Sequence, residues 1–319
     1  MAGIIWLASY PKSGNTWARL VFETLLGGGD SPVDINSRKK FCRSDSSRTQ
    51  WLRRFGPGID EMEISAIFKA RHDMQAYYTN QSEGGVMLKT HCAHARLDGS
   101  SLIEPERTAA AIYILRNPLD VVISSANFWN LSTLEAIRRM AKTDNLAMRD
   151  DANVYGFLSS WSNHVLSWTR YPHPGLLVVR YEDMLENPVD TFGAMARHVG
   201  LSPGHDELER AVQYSSFKAL RKQEAESGFA EAIGGRSFFR KGVAGQWREE
   251  LKERHVRRIV RDHGAVMARH GYLPDGSEDI PPLPTLSEDL FPSFECGLPI
   301  VPPGAFYESV GSVGFDIRL

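Results

Sequence analysis

The sequence predicts an α/β fold in which helices flank both faces of a central parallel sheet. The first observation is that short apolar runs, typical of buried strands, alternate with segments of helical spacing. Such alternation implies right-handed helical crossovers and therefore parallel pairing of the strands. The second observation is a tight loop, rich in Ser, Pro and Gly, between the first strand and the first helix. The runs predicted as strands are residues 4–8, 86–90, 111–115 and 176–180.

The first strand, the loop and the first helix together predict an anion site. Apolar residues recur at helical spacing after the loop, from Trp17 to Leu25. The N–H groups of the loop, the free N–H groups of the helix start and the Lys12 ammonium would point to one spot. A phosphate-sized anion would fit there. The loop consists of Ser9, Tyr10, Pro11, Lys12, Ser13, Gly14, Asn15 and Thr16.

The second strand begins apolar and ends polar. Lys89 and His91 are two residues apart, so they would project from the same face at its carboxyl end. In open α/β sheets this end faces the ligand crevice. Both side chains are therefore candidates for chemistry on a bound anion.

The third strand, predicted within residues 109–115, passes into a helix at Arg116. Asn117 is a suitable N-cap, Pro118 suits the first helical position, and Asp120 would complete a capping-box-like pattern. The helix would carry Ser124 in its second turn. Arg116 is thus predicted at a strand–helix junction.

The remaining segments complete the predicted organisation. Residues 30–58 are polar and basic, which predicts an irregular surface excursion, and residues 227–235 are Gly- and Ala-rich, which predicts a mobile loop. The chain turns Pro-rich after residue 274, so we predict a domain of residues 1–274 and an extension, residues 275–319, that packs on it. Further helices are predicted near residues 61–78, 155–168, 191–199, 205–213 and 245–270.

Composition narrows the class of protein. The 319 residues include 37 Lys and Arg against 39 Asp and Glu, so no global positive field favours nucleic acid or an anionic membrane. No uncharged apolar run reaches the 18 or so residues of a membrane span, and the apolar start is too short for a signal peptide. Three widely spaced cysteines fit a reducing compartment. We therefore expect a cytoplasmic protein.

The order of residues in the loop separates two kinds of phosphate site. A Walker loop ends in Gly-Lys-Ser/Thr, whose hydroxyl binds magnesium, whereas here Lys12 precedes Gly14. The order Tyr-Pro-Lys-Ser-Gly-x-Thr-Trp instead resembles the 5′-phosphosulfate loop of the cytosolic-type sulfotransferases, which use 3′-phosphoadenosine 5′-phosphosulfate (PAPS). Later stretches resemble motifs of the same family in the same order: Lys89-Thr90-His91, Arg116-Asn117-Pro118 with Ser124, Tyr181-Glu182-Asp183-Met184, Ser215-Ser216-Phe217, and Arg240-Lys241-Gly242 with Gly245 and Trp247.

The resemblance implies a P-loop-like sheet and a bacterial-like sulfotransferase. Such an enzyme moves the sulfonate of PAPS to a hydroxyl or amine of a small-molecule or natural-product acceptor, releases PAP and requires no metal. His91 would be the general base, and Lys12 and Lys89 would stabilise charge on the transferred group. The residues implied to bind the donor are Lys12, Ser13, Gly14, Asn15, Thr16, Trp17, Arg116, Ser124, Tyr181, Ser215, Phe217, Arg240, Lys241 and Gly242.

Three alternatives stay open at this point. The apolar run before Glu182 and Asp183 could imitate a Walker B strand, which would make the protein a metal-dependent small-molecule kinase. A nucleotide-binding protein without turnover would keep the donor site. His91, Cys92 and His94 could suggest a metal site, although no second ligand cluster accompanies them.

Three positions depart from the family pattern. Asn15 stands where Thr is more frequent, Cys92-Ala93 replaces the Leu-Pro that often follows the histidine, and Gln246 stands where Asp is usual. Neither the acceptor nor the oligomeric state is predicted by any motif.

Overall fold

A five-stranded parallel sheet forms the centre of the computed structural model, which describes residues 3–28, 31–37, 41–82 and 84–298. Its spatial order is β2-β3-β1-β4-β5, and every neighbouring pair is parallel. The four segments predicted as strands share this sheet, so the predicted fold class is confirmed. The strands are β1 (Ile4–Ser9), β2 (Cys42–Ser44), β3 (Val86–Thr90), β4 (Thr108–Leu115) and β5 (Leu176–Arg180).

Helices connect the strands and cover the sheet. Two 3₁₀ turns, Pro57–Asp60 and Pro105–Arg107, and two short antiparallel pairs lie at its margins, the pairs being Arg96–Leu97 with Ser100–Ser101 and Leu146–Ala147 with Gly156–Phe157. The helices are α1 (Asn15–Leu26), α2 (Arg48–Phe55), α3 (Ile64–Asn80), α4 (Pro118–Trp129), α5 (Thr133–Ala141), α6 (Trp161–Thr169), α7 (Tyr181–Glu186), α8 (Pro188–His198), α9 (His205–Tyr214), α10 (Phe217–Ser227), α11 (Trp247–Glu250) and α12 (Glu253–Arg269).

The period-2 geometry of β1 divides the core into two layers. Ile5 and Leu7 pack with residues of α1, α8 and α9 on one face of the sheet. Ile4 and Trp6 face the opposite side, where they share a core with residues of α3, α6 and α12. Both faces of the sheet are covered, so a ligand would reach the sheet at the ends of its strands, and in open α/β sheets the carboxyl ends form the crevice.

The prediction for residues 30–58 is wrong in part. Cys42 is fully buried and pairs with Met87, so a short polar segment forms the edge strand β2 beside β3. The helix α2 follows it, and Trp51 of this helix is fully buried. Three residues carry too short a pattern to predict a strand, and the pairing with β3 decides their conformation. Residues 30 and 38–40 of this segment lie outside the described residues.

Two predicted helices differ from those observed. Residues 155–168 do not form one helix, because the pair with Leu146–Ala147 comes first and α6 begins at Trp161 after the N-cap Ser160. The helix predicted over residues 245–270 is divided into α11 and α12 by an extended backbone at Leu251 and Lys252. No Pro or Gly marks this break in the sequence, so tertiary packing sets it.

The described part of the C-terminal segment lies against the main body. Phe291 and Phe294 are buried, and Gly297 N–H donates to Pro105 O at 2.7 Å. Residues 299–319 lie outside the described residues, and the division near residue 274 stays a prediction. No helix in residues 3–298, apart from the gaps named above, is long and apolar enough to cross a membrane.

Candidate active site

A cavity of about 880 Å³ opens at the carboxyl ends of β1, β3 and β4. Ser13 and Ser215 do not line it, since they are 1% and 2% exposed and lie behind the surface. At the latter position Ser216 and Phe217 face the cavity instead. The other predicted site residues meet here: Lys12, Gly14, Asn15, Thr16, Trp17, Lys89, His91, Arg116, Ser124, Tyr181, Phe217, Arg240, Lys241 and Gly242.

The loop between β1 and α1 has the shape that an anion site needs. Lys12 and Gly14 adopt positive φ angles of 69° and 102°. A Cβ at Gly14 would lie 2.6 Å from the Tyr181 ring, so the close approach of these two requires glycine. Ser13 Oγ is buried behind this loop and has no hydrogen-bond partner among the described residues.

Asn15 ties the helix start to the end of β1. Its Nδ2 donates to Leu7 O at 3.0 Å and to Ser9 Oγ at 3.3 Å. An amide has two N–H bonds to donate, whereas the hydroxyl of threonine, the more frequent residue in the sulfotransferase motif, has one. The departure from the pattern therefore adds a contact that holds the loop in place.

The Lys12 ammonium lies between two aromatic rings. Its Nζ is 3.7 Å from the centroid of Phe128 and 3.9 Å from that of Phe238. Burial, and then the charge of Arg116, lower the pKa of Lys12 from 10.5 to about 7. Lys12 is therefore a cation that gives up its proton near neutrality.

Arg116 joins three parts of the cavity wall. It donates from Nη1 to Lys12 O at 2.9 Å and from Nη2 to Val243 O at 3.4 Å. Its guanidinium lies 4.2 Å from the centroid of the Tyr181 ring, and its buried Nε has no partner among the described residues. Two of its five N–H bonds are thus used, and the Nε–H is among those left for a bound group.

Asp120 does not complete a capping box, in contrast to the prediction. Asn117 caps α4 as expected, since its side chain accepts from Leu119 N–H at 3.0 Å. The Asp120 carboxylate instead accepts from Gly245 N–H at 2.7 Å and from Trp247 N–H at 3.0 Å. It is 2% exposed and holds Gly245 and Trp247 against the first turn of α4.

Glu182 has a structural role. Its carboxylate accepts from Asn117 N–H at 3.1 Å and from the Tyr272 hydroxyl at 2.7 Å. It is absent from the cavity lining described above. The residue that could imitate a Walker B carboxylate is therefore engaged elsewhere, which disfavours the kinase alternative.

Arg240 and Lys241 form a second cationic group at the cavity. Arg240 donates to Gln246 Oε1 at 2.5 Å, and Lys241 donates to Glu250 Oε1 at 2.6 Å. Partial burial raises the pKa of Glu250, but the hydrogen bond from Lys241 and the charge of Arg240 outweigh it and lower the pKa. Gln246, which replaces the usual Asp, thus binds Arg240 without adding a negative charge.

Aromatic rings fill the third corner of the cavity. The Trp17 and Tyr181 rings meet edge to face with centroids 6.3 Å apart. Gly242 has a φ of 64°, and a Cβ there would lie 2.2 Å from the Phe217 ring. These three rings present flat apolar surfaces to the cavity.

His91 lies at the end of β3, and a hydrogen bond decides which of its two ring nitrogens carries the hydrogen. Nδ1 is 2.8 Å from Ser9 O, and because a carbonyl only accepts, Nδ1 carries the hydrogen. Nε2 is then the basic nitrogen. Burial, and then the charge of Lys89, hold the pKa of His91 well below its usual 6.5, so the ring is neutral at neutral pH.

A second histidine, which no motif predicted, supports His91. His164 on α6 donates from Nε2 to His91 O at 3.0 Å, and its Nδ1 accepts from the Tyr113 hydroxyl at 2.8 Å. Burial lowers the pKa of His164 to about 4, so it stays neutral. Neither His164 nor Tyr113 stands in a family stretch, and their contact follows from the packing of α6 on β4.

The suspected metal cluster does not form. His94 Nδ1 lies 3.1 Å from Pro292 O, and its ring packs against Trp168. No group of three or more His, Cys, Asp or Glu suited to a metal ion occurs within the described parts of the chain.

Comparison with known proteins identifies the family. Residues 3–271 match the family model described as "Sulfotransferase domain". The chain belongs to the sulfotransferase family. Members of this family are PAPS-dependent transferases, so the predicted class of enzyme and its donor are confirmed.

Relatives of this sulfotransferase match it over most of their length. It is 29% identical to sulfotransferase 1B1 of Canis lupus familiaris over 254 residues, which make up 76% of each chain. It is 26% identical to sulfotransferase 1A1 of the same species over 281 residues, 82% of each chain.

Solved structures share its fold. Mouse sulfotransferase SULT7A1, complexed with PAP, has a TM-score of 0.53 at 19% identity and covers 80% of this chain and 81% of its own. Retinol dehydratase in complex with androsterone and PAP has a TM-score of 0.55 at 18% identity, covering 83% and 80%. At these identities the likeness concerns the fold.

Proposed function

We propose that this sulfotransferase moves the sulfonate of PAPS to a hydroxyl or amine of a small-molecule acceptor, with His91 as the general base. The observation that carries the proposal is the position of His91. Its Nδ1 hydrogen is committed to Ser9 O, so the basic Nε2 belongs to a cavity that also contains Lys12 and Lys89. A neutral base beside two cations suits proton removal next to a developing negative charge.

Two groups of cations match the two anionic ends of the donor. The positive-φ loop, the N-terminus of α1 and Lys12 suit the 5′-phosphosulfate. Arg116, Arg240 and Lys241 suit the 3′-phosphate. The rings of Trp17, Tyr181 and Phe217, which line the same cavity, would take the adenine.

The transfer needs one proton movement by the protein. The acceptor proton passes to His91 Nε2 as the acceptor oxygen or nitrogen bonds to sulfur and the bond from sulfur to the phosphate oxygen breaks. Lys12 and Lys89 stabilise charge on the sulfonate and on the departing phosphate, where an interaction that strengthens in the transition state raises the rate. PAP leaves with that charge, and the imidazolium returns its proton to water.

The acceptor is to be found by incubating the protein with PAPS and a panel of phenols, alcohols and amines in buffer with EDTA. We expect acceptor masses to increase by one sulfonate and PAP to appear in equal amount. A parallel incubation with ATP and magnesium tests the kinase alternative. Phosphorylated acceptor in that sample, with no sulfonated product from PAPS, would refute the proposal.

His91→Ala is the matched catalytic control. A protein that binds nucleotide without turnover would give no product in either form, whereas the proposed base predicts product with the wild type and about 10²–10⁴-fold slower formation with the variant. PAP binding by both forms shows that the donor site is intact.

A further inference from the structure

A buried arginine outside every family motif faces the start of α1. Arg19 is 3% exposed, and its Nη2 lies 3.4 Å from Thr16 Oγ1. Its buried Nε has no hydrogen-bond partner among the described residues. Burial, and then the charge of Arg19, lower the pKa of Lys89, which places Arg19 among the cations of the loop. It lines the same cavity.

The carboxylate of Glu231 lies among these groups. It accepts from Arg19 Nη2 at 2.5 Å and from Thr16 Oγ1 at 3.3 Å. Its charge raises the pKa of Lys12, against the larger effect of burial. Glu231 belongs to the segment between α10 and α11, and its side chain is 40% exposed, so solvent reaches it.

We infer that Arg19 is a further residue that binds the 5′ end of the donor, and that Glu231 holds the place of this anion until the donor displaces it. The inference rests on the proposed function. A carboxylate accepts charge-assisted hydrogen bonds from an arginine and a hydroxyl as phosphate or sulfonate oxygens do. Two anions of like charge would repel each other at this position, so donor and Glu231 exclude one another.

The alternative is a latch in which Arg19 and Glu231 only hold the segment closed over the cavity. The two hypotheses predict different effects of Arg19→Gln and Glu231→Gln on donor affinity. If Arg19 binds the donor, Arg19→Gln weakens donor binding and Glu231→Gln strengthens it. If the pair is only a latch, both substitutions break the same contact and shift the affinity in the same direction.

The experiment measures the affinity of PAP and of adenosine 3′-phosphate, which lacks the 5′ group, by calorimetry. For PAP we expect Arg19→Gln to weaken binding at least about tenfold, since it removes a buried charged partner. We expect Glu231→Gln to tighten PAP binding about fivefold, as a partly exposed carboxylate competes only moderately. Neither should change the affinity for adenosine 3′-phosphate by more than about twofold.

Two controls separate this role from folding and from general charge effects. Arg48→Gln breaks an arginine–carboxylate pair, with Asp60, that does not line the cavity, and should leave PAP affinity unchanged. Arg19→Lys keeps the charge and should recover part of the affinity. If Arg19→Gln does not fold, Glu231→Gln alone tests the inference. It should tighten the binding of PAP but not that of adenosine 3′-phosphate.

Shifts of the same sign for Arg19→Gln and Glu231→Gln, or equal shifts for both ligands, would overturn the inference while leaving the proposed function intact. Failure of the wild type to bind PAP would overturn both.

Discussion

Lys12 should make donor binding sensitive to alkaline pH. A lysine with the usual pKa of 10.5 stays charged up to pH 9, whereas a pKa of about 7 leaves Lys12 half charged at neutrality. Its charge is lost as the pH rises through 7. A bound anion would favour the charged form, so binding above pH 7 must also take up a proton.

The magnitude follows from these two pKa values. If the bound donor restores the pKa of Lys12 to its usual 10.5, PAP affinity should fall about 50-fold between pH 7 and pH 9, or about 2 kcal/mol. The phosphate groups of PAP do not contribute to this slope, because their second ionisation is complete above about pH 7. The decline is therefore attributable to the protein.

Calorimetric titration with PAP from pH 7 to pH 9.5 measures the effect. Lys12→Arg should bind PAP with little pH dependence, because a guanidinium stays charged throughout. Lys12→Met should bind weakly at every pH, near the wild-type value at the alkaline end. Lys142→Met removes an exposed lysine that pairs with Asp144 at 3.4 Å and serves as the matched control.

Two results would refute the reasoning. One is a PAP affinity of the wild type that stays constant from pH 7 to pH 9.5. The other is the same slope in Lys12→Arg, which would assign the titration to another group, with Lys89 the first to test because burial lowers its pKa also.

Three further predictions concern catalysis, the 3′-phosphate and stability. His91→Ala should lower kcat about 10²–10⁴-fold and leave PAP affinity within about twofold of the wild type. The wild-type rate should fall only well below pH 6.5, because the pKa of His91 is lowered. Initial rates with the true acceptor test both expectations, and a near wild-type kcat in the variant would show that His91 is not the base. Arg116→Ala should weaken PAP binding by about 2 kcal/mol but leave the affinity for AMP unchanged, whereas an equal loss for both would assign Arg116 to its contacts with the loop. Acid should destabilise the fold, because burial lowers the pKa of His94, His164 and His263 to about 4. As the pH falls below 6.5, these histidines bind protons in the unfolded chain before they do so in the fold, and the stability present above pH 6.5 is lost. The expected loss in the free energy of unfolding is about 2 kcal/mol per histidine at pH 5. The same midpoint of urea unfolding at pH 5 and pH 7 would contradict this expectation.

The local sequence pattern was sufficient to predict the strands that are buried on both faces of the sheet. The strand of residues 4–8 reads as a continuous apolar run because it is covered on both sides of the sheet. The loop that follows could also be predicted, since the shape of an anion site depends on a few consecutive residues. Asn117 and Pro118 marked the start of α4 for the same reason, because a helix cap is a contact between residues two or three apart.

Only the tertiary structure decided which distant groups meet. Asp120 suited a local capping box, yet its carboxylate binds Gly245 and Trp247 N–H groups more than 100 residues away. Cys42 stands in a polar stretch and becomes part of a strand only because β3 offers its edge.

The active site shows the same division between local and distant contacts. Its motifs predict residues that line the cavity, but they do not predict the groups that set the charge or the tautomer of those residues. Ser9 O fixes the ring of His91 from 82 residues away, and Glu231 reaches Arg19 across 212 residues. Contacts at such separations leave no periodic pattern in the sequence, because their geometry depends on how whole helices and strands pack, and that packing exists only in the folded chain.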